Sequence, residues 1–62
     1  MSLTDLRFGL AVIWRRSAAQ SYAAEIVDIE HTGGKVQIRA RVPDEARRLW
    51  WVRLDELEST DG

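Results

Sequence analysis

From Lys35 to Val42 the sequence KVQIRARV alternates without a fault: Val36, Ile38, Ala40 and Val42 fall on one face of an extended chain, and Lys35, Gln37, Arg39 and Arg41 on the other. A helix would scatter those four apolar side chains around its circumference, so the stretch is a strand with one buried face. Just before it, Thr32-Gly33-Gly34-Lys35 sets two glycines between β-branched runs, the pattern of a two-residue hairpin turn whose positions take positive φ. With Gly33-Gly34 as the loop, Ile29 lies opposite Ile38 and Val27 opposite Ala40, while Asp28 faces Arg39, Glu30 faces Gln37 and His31 faces Val36. Apolar side chains then meet apolar ones, and an acid meets a base. This matching decides the segment upstream, SAAQSYAAEIVDIEH, whose alanines and near-helical apolar spacing also suit a helix. A strand is expected from about Ser21 to His31. Its apolar set is Tyr22, Ala24 and Ile26 at first and Val27 and Ile29 later, so the parity changes between Ile26 and Val27. That change predicts a β-bulge and a sharp bend.

The flanking segments extend the pattern. GLAVIWRR, residues 9–16, opens on glycine and holds Val12, Ile13 and Trp14, which suit a first strand. Pro43 ends the third strand, and PDEARR connects it to LWWVR. A helix beginning at Pro43 competes for this region, with Leu49, Val52 and Leu57, or Trp50, Leu54 and Leu57, as its apolar stripe. Two tryptophans, a valine and arginines in a row suit a pleated strand better. LDEL then makes one tight 3-10 turn that returns Leu54 and Leu57 to the core, and residues 58–62 form an exposed acidic tail. The expected fold is a single all-β domain, a small barrel of four to five antiparallel strands, with its core at about residues 9–57.

Composition limits what such a barrel can do. A chain of 62 residues buries only about 60% of its unfolded surface, so its stability margin is thin. No cysteine is available for a disulfide or a thiolate metal site, and His31 is the single histidine. No metal or cofactor is implied. With 45% hydrophobic residues and a net charge of −1, the chain reads as a soluble globular domain rather than a basic nucleic-acid arm. It has no apolar run of membrane-spanning length and no signal-peptide pattern, so a cytoplasmic location is expected, with no membrane partner. Catalysis is not indicated. Ser17, Ser21 and His31 lack a glycine-flanked nucleophile, and the adjacent Asp55 and Glu56 cannot face one site as an acid and base pair. No small-molecule substrate is suggested.

The stretches SYAAEIVDI and WWVRLDEL resemble the second and final strands of Tudor and chromo-barrel domains, and the likeness spans about Gly9 to Leu57. The resemblance implies an SH3-like small barrel. It also implies an aromatic cage for a methylated lysine or arginine, a use of cation–π attraction. By position the cage residues would be Trp14, Tyr22 and Trp50 or Trp51, although Arg15 and Arg16 just after Trp14 would repel a cationic ligand. RLDEL is also similar to the closing residues of small SH3-like accessory subunits of photosynthetic complexes, which are docking pieces. VQIR is similar to the VQIY segment of the plasmid-borne trimethoprim-resistant dihydrofolate reductases, with Arg39 in place of the tyrosine.

The doubled tryptophan carries the sharpest functional expectation. In a strand, Trp50 and Trp51 point to opposite faces; with Val52 and Leu54 inside, Trp50 is inside and Trp51 outside, beside Arg39, Arg41 and Arg53. Aromatic and arginine side chains are enriched at interface anchors, so these four form the expected partner-binding surface, for a protein partner or for self-association. The same basic and aromatic face could stack and neutralise nucleic acid, although Asp28 and Glu30 lie on the neighbouring strand. Trp14 and Tyr22 are candidates for a notch at the barrel rim, or simply core-edge aromatics. The pairs Arg15/Arg16 and Arg47/Arg48 would bind phosphate only if the fold brought them together.

Overall fold

The computed structural model describes residues 5–60. These residues form an all-β domain of five antiparallel strands in one sheet: β1 (Ala11–Ser17), β2 (Gln20–Glu30), β3 (Lys35–Ala40), β4 (Leu49–Arg53) and β5 (Leu57–Ser59). A 3-10 turn, Leu54–Glu56, joins the last two. The strand order is β4-β3-β2-β1-β5. β4 and β5 thus occupy opposite margins of the sheet, although only the three residues of the turn separate them in sequence. A link that short forces the sheet to curl until its two margins approach each other.

The curl is concentrated in β2. Ala24 and Glu25 pair with β1 and with β3 at once, and between Ile26 and Asp28 the ladder to β3 slips by one residue, leaving Val27 as the extra residue of a bulge. The parity change in the sequence therefore marks a real bulge, the irregularity that bends a strand. Here the ladder toward β1 also ends, with the Gly9 amide donating to the Ile26 carbonyl at 2.7 Å and the Ile26 amide donating to the Leu10 carbonyl at 3.0 Å. Gly9 takes φ of 84°, a conformation that glycine reaches without a Cβ clash.

The alternation in β3 is realised: Val36, Ile38, Ala40 and Val42 are all buried, and with Val12, Trp14, Ala24, Ile26, Trp50, Val52 and Leu57 they make the core. Each fully buried valine or isoleucine contributes on the order of 1.5–3 kcal/mol. Leu6, upstream of the expected core, is buried with them, and Leu54 is half-buried at its edge. The expected tail begins as structure, since Glu58 and Ser59 belong to β5 and pair with Ile13 and Val12. Asp61 and Gly62 lie outside the described residues.

The hairpin register is corrected. The β2–β3 hairpin closes through a four-residue turn, residues 31–34, rather than through Gly33-Gly34 alone, and the Gly34 amide donates to the Glu30 carbonyl at 3.0 Å. Ile29 consequently pairs with Val36, Asp28 with Gln37 and Glu30 with Lys35. Ile38 is opposite Ile26, and Arg39 opposite Glu25. The shift is two residues from Asp28 to Glu30 and three before the bulge, where Val27 takes up the odd step, so the faces are kept and alternation alone could not distinguish the registers. Of the two turn glycines, only Gly34 has positive φ, 69°. PDEARR is a connection, as expected, and the competing helix is absent: the Glu45 amide donates to the Val42 carbonyl at 3.2 Å around Pro43 and Asp44, whose φ is 68°. Proline followed by a positive φ is a type II turn, and this left-handed residue stops a helix from starting.

Candidate functional site

The outer face of the sheet is built from three rows of side chains. β4 supplies Leu49, Trp51 and Arg53; β3 supplies their cross-strand partners Arg39, Gln37 and Lys35; β2 supplies Glu25, Asp28 and Glu30 beyond those. Pleating alone separates the tryptophans: Trp50 is 8% exposed and Trp51 45%. The Ala40 amide donates to the Arg48 carbonyl at 2.9 Å, so Arg48 is directed at β3 and every second residue after it follows. Trp51 and Gln37 therefore form a non-hydrogen-bonded pair, in which side chains stand closest. Arg53, two residues along β4, and Arg39, diagonally across on β3, flank the ring as expected. Each has its own acid, Asp55 at 3.0 Å for Arg53 and Glu25 at 3.3 Å for Arg39.

Arg41 is the expected neighbour that the register moves away. It lies four residues along the chain from Gln37, on the order of 13 Å in an extended strand. There it joins Arg39 and Arg48 around a shallow depression of about 330 Å³, floored by Ala23 and Ala40 and bordered by Glu25. Lys35, Gln37 and the 43% exposed Leu49 take its place around Trp51. Their parity was visible in the sequence. Their adjacency depended on a hairpin register that the sequence left ambiguous.

The inner aromatics gather at one end of the sheet. Trp14 packs on Tyr22 with ring centroids 6.1 Å apart and on Trp50 at 5.1 Å, both tilted. The Trp14 indole donates to the Glu56 carboxylate at 3.2 Å. Three of the four cage candidates thus come together, and Trp51 is on the other face. The approach of a cationic ligand is opposed more directly than by nearby charge alone. The Arg16 guanidinium stands over Trp14 at 5.7 Å and over Trp50 at 5.0 Å, while Arg47 stands over Trp50 at 4.6 Å. The rings are capped by the chain's own cations.

Arg16 reaches them because it follows Val12 and Trp14 on the inner face of β1, at the slip in register between Arg15 and Ser17. Glu45 forms an ion pair with it. The hydrogen bond that Arg16 donates to Glu45 raises the Arg16 pKa above its ordinary value, partial desolvation opposes this, and the nearby Glu45 and Tyr22 charges add to the rise. The strand parity of AVIWRRS contained this placement, and sequence reasoning missed it by weighing Arg15 and Arg16 only as a pair. The two arginine pairs do not converge as pairs. Arg15 bonds Glu58 at 2.6 Å, and Arg48 donates to the backbone carbonyls of Glu45 at 2.7 Å and Arg47 at 3.3 Å.

The polar groups considered for catalysis stand apart. Ser17 and Ser21 flank the β1–β2 turn, whereas His31 follows the far end of β2, roughly 30 Å along an extended strand from Ser21. Asp55 is engaged by Arg53 and Glu56 by Trp14. Among the described residues, no group of three or more His, Cys, Asp or Glu side chains could hold a metal ion. No helix among them is long and apolar enough to cross a membrane. Compared with protein-family models, with curated proteins and with solved structures, the chain matches none.

Proposed function

We propose that this chain is a non-catalytic protein-interaction module built on an SH3-like barrel, docking through the outer face centred on Trp51. The observation that carries the proposal is the partition of the doubled tryptophan: Trp50 serves the core, and Trp51 stands 45% exposed beside Leu49, Gln37 and Arg53. A large ring that contributes little to the core yet lies on a rigid strand is a good anchor for a partner. The strand order, the bent second strand and the 3-10 turn before the last strand support the SH3-like assignment. Trp51→Ala should leave the melting temperature nearly unchanged and abolish or strongly weaken docking. A Trp51 variant as unstable as a Trp50 variant would sink the proposal.

A second reading, nucleic-acid binding, is favoured by the depression bordered by Arg39, Arg41 and Arg48, whose alanine floor would let a backbone approach the sheet. Retention on a DNA or RNA column that falls steeply with salt, and falls further in Arg41→Ala, would put this reading first. The methylated-peptide reader suggested by the Tudor-like motifs has less support. Arg16 and Arg47 already stand over the rings such a ligand would need.

A further inference from the structure

The outward margin of β4 offers more than side chains. Because Arg48 is directed at β3, the backbone N–H and C=O groups of Leu49, Trp51 and Arg53 are directed away from it, along the open margin of the sheet. The Arg47 Nε confirms this by donating to the Leu49 carbonyl at 2.7 Å from outside the ladder. Among the described residues no strand pairs with this margin of β4. Natural edge strands are commonly protected by lysine, proline or a bulge. LWWVR has neither residue, and its register to β3 is unbroken.

We propose that β4 pairs with β4 of a second copy of this chain, antiparallel about a two-fold axis at Trp51. The proposal rests on the reading of Trp51 as a docking anchor and names its partner. A two-fold axis requires a surface complementary to itself, and this register meets that requirement. Trp51 faces Trp51 of the other copy in a reciprocal hydrogen-bonded pair, and each Arg53 faces the other copy's Leu49. On the inner face, Trp50 faces Val52. No like charges are opposed, whereas a parallel pairing in register would set Arg53 against Arg53. Arg53 also brings its own counter-charge, Asp55 at 3.0 Å. The net charge of −1 gives two copies little reason to repel. The Leu49 carbonyl has two lone pairs, so it can accept the Arg53 amide of the other copy while keeping Arg47.

Sedimentation velocity across a concentration series tests the proposal, with thermal melts confirming that each variant is folded. The decisive variant is Arg53→Pro. Arg53 has φ of −82° and ψ of 151°, which proline tolerates, and its amide points away from β3, so the change removes an edge donor and no ladder bond. Arg53→Ala removes the same side chain but keeps the amide. The expected result is a concentration-dependent shift from one to two chains, at least tenfold weaker in Arg53→Pro than in Arg53→Ala, and lost in Trp51→Ala. Equal association of the proline and alanine variants would overturn strand pairing, as would a wild type that stays monomeric or that assembles beyond two chains. If the wild type stays monomeric while Trp51→Ala still loses a different bound protein, the docking proposal survives and only the second copy is excluded.

Discussion

Trp50 and Trp51 are chemically identical neighbours with opposite physical roles. Trp50 packs on Trp14 and lies under Arg16 and Arg47. Trp50→Ala should cost about 3–5 kcal/mol in a urea melt, where Trp51→Ala should cost under about 1 kcal/mol. The Trp50 indole N–H is buried without a hydrogen-bond partner among the described residues. Trp50→Phe removes that donor together with some volume, so its loss should be well under half that of the alanine change. Arg16 has a readout of its own, since its guanidinium covers two indole faces. Arg16→Ala should increase acrylamide quenching of the tryptophan fluorescence and lower the melting temperature, and an unchanged quenching constant would show that the cap does not shield the rings. Its raised pKa keeps Arg16 charged, so the cap is present below the ordinary guanidinium range and lost only as pH rises through the raised value.

At the scale of elements, two turns set the geometry, and each rests on one left-handed residue. Gly34 has φ of 69°, so Gly34→Ala should destabilise by about 1–2 kcal/mol. Gly33→Ala should do less, because Gly33 has no positive φ and the new Cβ would meet only the movable end of Glu30. Asp44 pays the same conformational cost without being glycine. Asp44→Gly should therefore leave stability level or raise it by up to about 1 kcal/mol, and a clear loss would mean that the Asp44 side chain matters in its own right. The β2 bulge can be tested by deletion. Without Val27 the strand would alternate regularly, with Ile26 and Ile29 still inward, so the pattern survives while the bend is lost. The deletion should lower stability by about 1–3 kcal/mol.

For the whole molecule, thin stability and a near-neutral charge make association energetically relevant. A domain of 62 residues has on the order of 3–9 kcal/mol in total. If β4 pairs between copies, mass action adds to this, and the melting temperature of the wild type should rise with protein concentration. That rise should be absent in Trp51→Ala. The four ion pairs among the described residues are all on exposed or half-exposed side chains and contribute little to the fold. Added salt should thus leave the melting temperature at a fixed dilute concentration nearly unchanged.

The strand class, the inward face of β3, the bulge in β2 and the outward Trp51 were legible in the linear sequence, because a period of two is a local property of the chain and a change of parity is visible residue by residue. The pairing of those strands was not legible. Alternation is unchanged by a slip of two residues, so only the closed β3–β4 ladder decided that Trp51 neighbours Gln37 and Lys35 rather than Arg41. The cap of Arg16 and Arg47 over Trp14 and Trp50 was equally out of reach, since it joins residues far apart in the chain that meet only when the sheet curls. Local periodicity determined which way each side chain points. Tertiary closure decided what it points at, because long-range register is set by turn geometry and by the fit of the whole core.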